Sequence, residues 1–147
     1  MSEKKTLQLL QLFFRETDRA RLLETDALPD LDEEQHQKVN LWLENKRNFT
    51  LDEIARQHWI KTCSAGYITE LLMRDDGTLE ESSLFNRTKT RGHWALVDGV
   101  IEIEISKGDN RYHCAVIANK TVNIHSAIEY KNGELHSYLK LIQTRPV

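Results

Sequence analysis

A chain of 147 residues, 39% hydrophobic and 29% charged, is one domain's worth of sequence with enough apolar material for a core. Its formal net charge of −3 argues against a nucleic-acid binder that works through bulk positive charge. No apolar run approaches the roughly 20 residues that a membrane-spanning helix needs.

The first stretch, MSEKKTLQLLQLFFRETDR, has a basic start and greasy residues. It lacks a small-residue cleavage site, and Gln8, Gln11 and Arg15 interrupt it, so it reads as an amphipathic helix rather than a secretion signal. The expected setting is therefore cytoplasmic, with Cys63 and Cys114 reduced. The Asn-x-Thr triplets at Asn48, Asn86 and Asn119 then carry no glycan.

Leu7, Leu9, Leu10, Phe13 and Phe14 predict a wide-faced helix over about 4–24. ALPDLDEEQ breaks it. Asp30 with Glu33 three later reads as a capping box for a second helix, whose apolar stripe is Val39, Trp42 and Leu43. In NFTLDEIARQ, Thr50 caps while Glu53 reaches back, and Phe49 staples onto Ile54. That predicts a short third helix near 51–57.

After residue 58 the pattern changes to strands and tight turns. Asp76-Gly77, Asp98-Gly99 and Asn132-Gly133 are two-residue hairpin signals, because a type I′ turn needs positive φ twice. Lys107–Asn110 reads as a longer turn and Asn119-Lys120 as a weaker one. The predicted strands are about 66–74, 79–85, 91–97, 100–106, 111–118, 121–130 and 134–143. No internal repeat or linker separates the halves, and proline occurs only at 29 and 146. The expected organisation is a single α+β domain over 1–147. About three N-terminal helices (1–58) pack on a seven- to eight-stranded antiparallel meander (59–147), closed as a barrel or strongly curved.

Turn register sorts side chains onto faces. Around Asp98-Gly99, Trp94 faces Ile103 and His93 faces Glu104. Around Asn132-Gly133, Tyr130 faces Leu135 and Glu129 faces His136. One face is expected to gather Trp94, Leu96, Ile101, Ile103, Ile105, Ala115, Ile117, Val122, Ile124, Ile128, Leu139 and Leu141 as a core. The other is mixed. It holds His93, Glu102, Glu104, Tyr112, Cys114, His125, Glu129, His136 and Tyr138 among smaller apolar residues, and these nine are the candidate ligand-binding set.

DDGTLEE followed by RGHWALVDGVIEI resembles the strand-and-turn grammar of bacterial lipocalin-like domains. The matching residues are Asp76, Gly77, Thr78, Gly92, Trp94, Asp98 and Gly99, and the likeness covers about 66–143. It implies a barrel that takes a small apolar or amphipathic molecule, and it carries over no catalytic residue.

Each candidate has a plainer explanation beside it. The His93–Glu104 and Glu129–His136 pairs would suit proton transfer, but surface ion pairs of this kind are commoner. Cys114 beside His125 has the composition of a thiol–imidazole pair, yet a buried cysteine is usually a small hydrophobe. No His-x-His or Cys-x-x-Cys spacing marks a metal site, and no phosphate-cradling loop or Gly-x-Ser-x-Gly occurs. Tyr112, Tyr138 and Lys140 could hold a ligand's polar end. The expectation is non-catalytic binding of a small, partly apolar ligand within the barrel, without cofactor, metal, nucleic-acid partner or membrane span. The alternatives are a cone-shaped enzyme like the nuclear-transport-factor-2 fold using a His–Glu pair, and a protein-interaction module that forms homodimers.

Overall fold

Short turns and alternating strands build one continuous sheet. A computed structural model describes residues 3–18, 22–55, 57–83 and 88–144. Its elements are helix α1 (Glu3–Asp18), helix α2 (Glu33–Leu43), and strands β1 (Lys46–Arg47), β2 (His58–Cys63), β3 (Ile68–Met73), β4 (Thr78–Ser83), β5 (Lys89–Val97), β6 (Val100–Lys107), β7 (Asn110–Asn119), β8 (Ile124–Lys131) and β9 (Glu134–Gln143). Each of β2 to β9 pairs antiparallel with the next, and β9 returns to β2. The eight strands therefore close into an up-and-down barrel, which leaves no edge among them. β1 adds a two-residue clasp against the end of β7.

Asp98 (φ 53°) with Gly99 (φ 76°), and Asn132 (φ 53°) with Gly133 (φ 82°), make the two-residue turns that the sequence predicts. At Asp76-Gly77 only the glycine has positive φ. The loop there is one residue longer, and the Asp76 carboxylate accepts from the Thr78 amide at 3.0 Å and its hydroxyl at 2.6 Å. Strand β2 lies in no predicted strand, although it closes the barrel. Its Trp59–Cys63 run is half apolar and half polar, which hides its period.

The helical part is shorter than expected. α1 is described through Asp18, residues 19–21 lie outside the described residues, residues 22–24 are not helical, and Thr25–Ala27 forms a 3-10 turn. The cap of α2 is Asp32 with Gln35, not Asp30 with Glu33: Asp32 accepts from the Gln35 amide at 2.8 Å, and Gln35 accepts in return at 3.3 Å. The third helix is a single 3-10 turn, Leu51–Glu53, with its Thr50–Glu53 capping box in place. Among the described residues two α-helices, not three, pack on the sheet.

The interior divides in two along the barrel axis. Toward one end the chain entering β2 acts as a plug. Phe49 and Ile54 join Trp59, Leu71, Met73, Ile101 and Leu141 in one cluster, none more than 3% exposed. The Phe49 ring stands edge-on to Trp59 and His125. Outside the sheet, Leu9 and Leu12 of α1 cover Val100, Ile117 and Ile128, while Phe13 and Phe14 turn away to meet Val39 of α2.

The expected faces hold for β5, β6 and β9 but reverse on β7 and β8. Ile103 lies opposite Cys114 and Ile105 opposite Tyr112. Tyr112, Cys114, His125 and Glu129 therefore point into the barrel with Trp94, and Ala115, Ile117, Ile124 and Ile128 point out; Val122 sits in the exposed β7–β8 loop. The physical reason is that α1 buries the outside of β7 and β8. These strands are apolar on both faces, so hydrophobicity stops marking the inside. A bulge between Glu129 and Tyr130 also shifts the β8–β9 register, so Glu129 faces Ser137 rather than His136.

Candidate functional site

The nine candidate residues are thus divided among four places. His93, Glu102 and Glu104 lie on the outer face of β5 and β6, in a cleft beneath the N-terminal half of α1. Tyr112, Cys114, His125 and Glu129 lie inside the barrel. His136 sits at the bulge on the rim, and Tyr138 lies outside, under the C-terminal half of α1.

The cleft between α1 and the sheet has a volume of about 740 Å³. Its apolar lining comes from Leu7 and Leu12 above and from Ala95, Ala115, Ile117 and Ile128 below. Its polar floor is a row across four strands. His93 pairs with Glu104, Glu104 with His113, and His113 with Tyr130. The His113 and Tyr130 rings stack at 5.0 Å and 7°. The Tyr130 hydroxyl accepts from Gln11 Nε2 at 2.7 Å, and Gln11 also donates to the Leu23 carbonyl. Lys4 pairs with Glu102 at 2.6 Å. Lys5 bonds the Asp98 carbonyl and donates to Asn48 Oδ1 at 2.9 Å, holding the start of α1 against the β5–β6 turn. His113 and Tyr130 were not among the candidates. Carrying the 106-to-111 pairing through the Lys107–Asn110 turn places His113 opposite Glu104, and that signal is in the sequence.

Inside the barrel, at the end away from the plug, the lining turns polar. Lys61 on β2 pairs with Glu81 on β4 at 2.5 Å and lies 3.7 Å from Glu129 on β8. Thr69 donates to Glu81 at 2.8 Å and Thr90 at 3.3 Å. Ser137 donates to Glu129 at 3.2 Å, and His136 Nε2 is 3.9 Å from the same carboxylate. Burial alone would lower the Lys61 pKa, but Glu81 and Glu129 outweigh it and hold it above the usual lysine range. Burial would raise Glu81, and Lys61 outweighs that to hold it below the usual range. Lys61 lies on the strand that the sequence pattern does not reveal, and Glu81 lies on the predicted 79–85 strand, which has no face assigned; Trp59, Lys61 and Cys63 alternate onto one face once β2 is seen as a strand.

Burial pushes the Cys114 thiol up to about 12, so it is held as a thiol. Nor is His125 its base. His125 Nδ1 accepts from the Asn119 amide at 2.9 Å, which leaves Nε2–H to donate to Gln143 Oε1 at 2.6 Å. Tyr138 is likewise committed. Its hydroxyl donates to Glu16 at 2.6 Å, and burial with that carboxylate pushes its pKa up to about 12. Among the described residues, no group of three or more His, Cys, Asp or Glu is arranged to hold a metal ion. None of the described helices is long and apolar enough to cross a membrane.

No protein-family model, curated protein or solved structure matches this chain.

Proposed function

We propose that this protein binds a small, partly apolar molecule, and that the molecule lodges between α1 and the outside of the barrel. The observation that carries the reading is the cleft itself. Its volume of about 740 Å³ lies in the range of small-molecule sites, roughly 300–1,000 Å³. It also offers what such sites offer, an apolar lining with a few placed polar groups. The plugged half of the interior is filled by its own side chains, so a ligand of that size has no room there without repacking.

The closed eight-stranded meander is compatible with a lipocalin-like chain, and that likeness supports a binder over a catalyst. The enzyme alternative needs an open cone and a poised His–Glu pair. Here β9 closes onto β2, and His93 and Glu104 share a register position on an exposed surface. Our reading is of a cytoplasmic carrier or sensor with reduced thiols and no cofactor.

The test is titration with N-phenylnaphthylamine, a neutral apolar dye. We expect enhanced dye emission and a higher unfolding temperature in the native protein. Ala115→Trp, which fills the cleft from a half-buried outward position, should abolish both while leaving the circular dichroism unchanged. Equal binding by Ala115→Trp, or no binding by the native protein, overturns the reading.

A further inference from the structure

We infer that the polar end of the cleft's ligand is an uncharged hydroxyl, received between Gln11 and Tyr130. The inference rests on the reading above, that the cleft beneath α1 holds a small, partly apolar molecule, and adds the chemistry that the molecule carries. Gln11 stands between Leu10 and Leu12 on α1 and is only 3% exposed. A side-chain amide so buried is costly unless it is matched. Its Nε2 is matched twice, by the Leu23 carbonyl and by the Tyr130 hydroxyl, each at 2.7 Å. A carbonyl only accepts, so Leu23 fixes the nitrogen on that side and turns Oε1 away. Among the described residues, no donor meets Oε1. No fully buried side-chain oxygen among them lacks a partner either, so Oε1 is the part of Gln11 that opens on the cleft it lines. Tyr130 lines the same cleft. Its hydroxyl accepts from Gln11, and no acceptor among the described residues takes its own proton.

The cleft wall therefore presents one donor and one acceptor side by side. A hydroxyl answers both with a single oxygen: it accepts from Tyr130 and donates to Gln11. A carboxylate has no proton for Oε1, and an ammonium has no lone pair for the Tyr130 proton. An ether oxygen satisfies Tyr130 alone. The pair stands where the cleft is closed. Gln11 holds the Leu23 carbonyl there, Leu22 packs on the cluster that Tyr130 joins, and Thr25 completes the wall. Three strands away on β5, His93 and Ala95 are exposed and mark the open side. The hydroxyl thus lies innermost, and the carbon chain runs out past Leu7, Ala115 and Ala95.

The experiment measures displacement of bound N-phenylnaphthylamine from the whole chain at neutral pH. The competitors are 1-octanol and its isomer 1-methoxyheptane, which matches it in size and accepts hydrogen bonds but donates none. Octanol should displace the dye at a concentration about fivefold lower or better. It should surpass octanoate and octylamine, both charged at that pH, by about the same factor. This comparison needs no variant. Gln11→Met should bring octanol and the ether within about twofold of each other, and Tyr130→Phe should weaken octanol about threefold or more. Equal displacement by octanol and the ether, which a bridging water would give, stronger binding of octanoate or octylamine, or a preference that survives Gln11→Met would each overturn the inference and leave the cleft reading standing. A native protein that does not bind the dye overturns both.

Discussion

Gly92 shows how little room single residues have. It sits on β5 opposite Ile105, and a Cβ added there would lie 2.1 Å from the Glu104 carbonyl oxygen. That oxygen belongs to the neighbouring strand's backbone and has nowhere to go. Gly92→Ala is expected to cost about 3 kcal/mol or more, read as a lower urea midpoint. His125 is the second sensitive residue. It is 0% exposed, and burial holds its pKa below the usual 6.5. Both ring nitrogens are engaged, so a second proton would set Nδ1–H against the Asn119 amide. The unfolded chain binds that proton more readily than the native one. Stability is therefore full above pH 6.5 and falls as the pH drops below it. Urea midpoints measured from pH 8 to 5 should show the decline, and His125→Gln should flatten it while costing about 1–3 kcal/mol at pH 8. Glu53 adds a later step. Burial would raise its pKa, but Arg47, the Thr50 amide and Gln143 hold it at about 2, so its contribution is present above 4.5 and is lost as the pH falls toward 2.

Among the elements, the helices depend on one carboxylate. Glu16 accepts from Trp42 Nε1 at 3.0 Å, Lys46 Nζ at 3.1 Å and the Tyr138 hydroxyl at 2.6 Å. One side chain thus joins α1 to α2, β1 and β9. Glu16→Gln removes the charge facing Lys46 and turns an acceptor into a donor. We expect a loss of about 1–3 kcal/mol, with amide exchange in α1 and α2 accelerating before that of the barrel. Local signals located most elements: the Asp98-Gly99 and Asn132-Gly133 turns, the Thr50–Glu53 box and the alternating β6 strand. They failed where two signals competed. Asp30 and Asp32 both precede a glutamate or glutamine three residues on, and the helix starts after the second. Strand β2 carries Lys61 on its inner face where a core strand would carry isoleucine, because that face meets Glu81 and Glu129.

At the scale of the whole molecule, closure joins the ends of the meander. Trp59 pairs with Leu71 nearby and with Gln143 at the far end of the last strand. Such non-local pairing is slow to form, so refolding is expected in the millisecond-to-second range. Stopped-flow fluorescence would show it, and sub-millisecond refolding would contradict it. Trp59→Ala, at 0% exposure, should cost about 3–5 kcal/mol. The candidate site was less legible than the fold for the same global reason. Register can be counted from turn to turn, but a bulge at Glu129 changes the count. A helix laid over β7 and β8 likewise makes the outside as apolar as the inside. The nine candidates were read as one surface, and the barrel wall passes between them.

The three tryptophans stand at three separate positions: Trp42 in the helix layer, and Trp59 and Trp94 in the barrel core, Trp59 against the Phe49 plug. Each indole N–H is engaged, by Glu16, the Ile54 carbonyl and the Arg74 carbonyl respectively. The molecule thus carries its own set of optical reporters. Replacing any two with phenylalanine leaves a single emitter, and its colour would record when that position meets water.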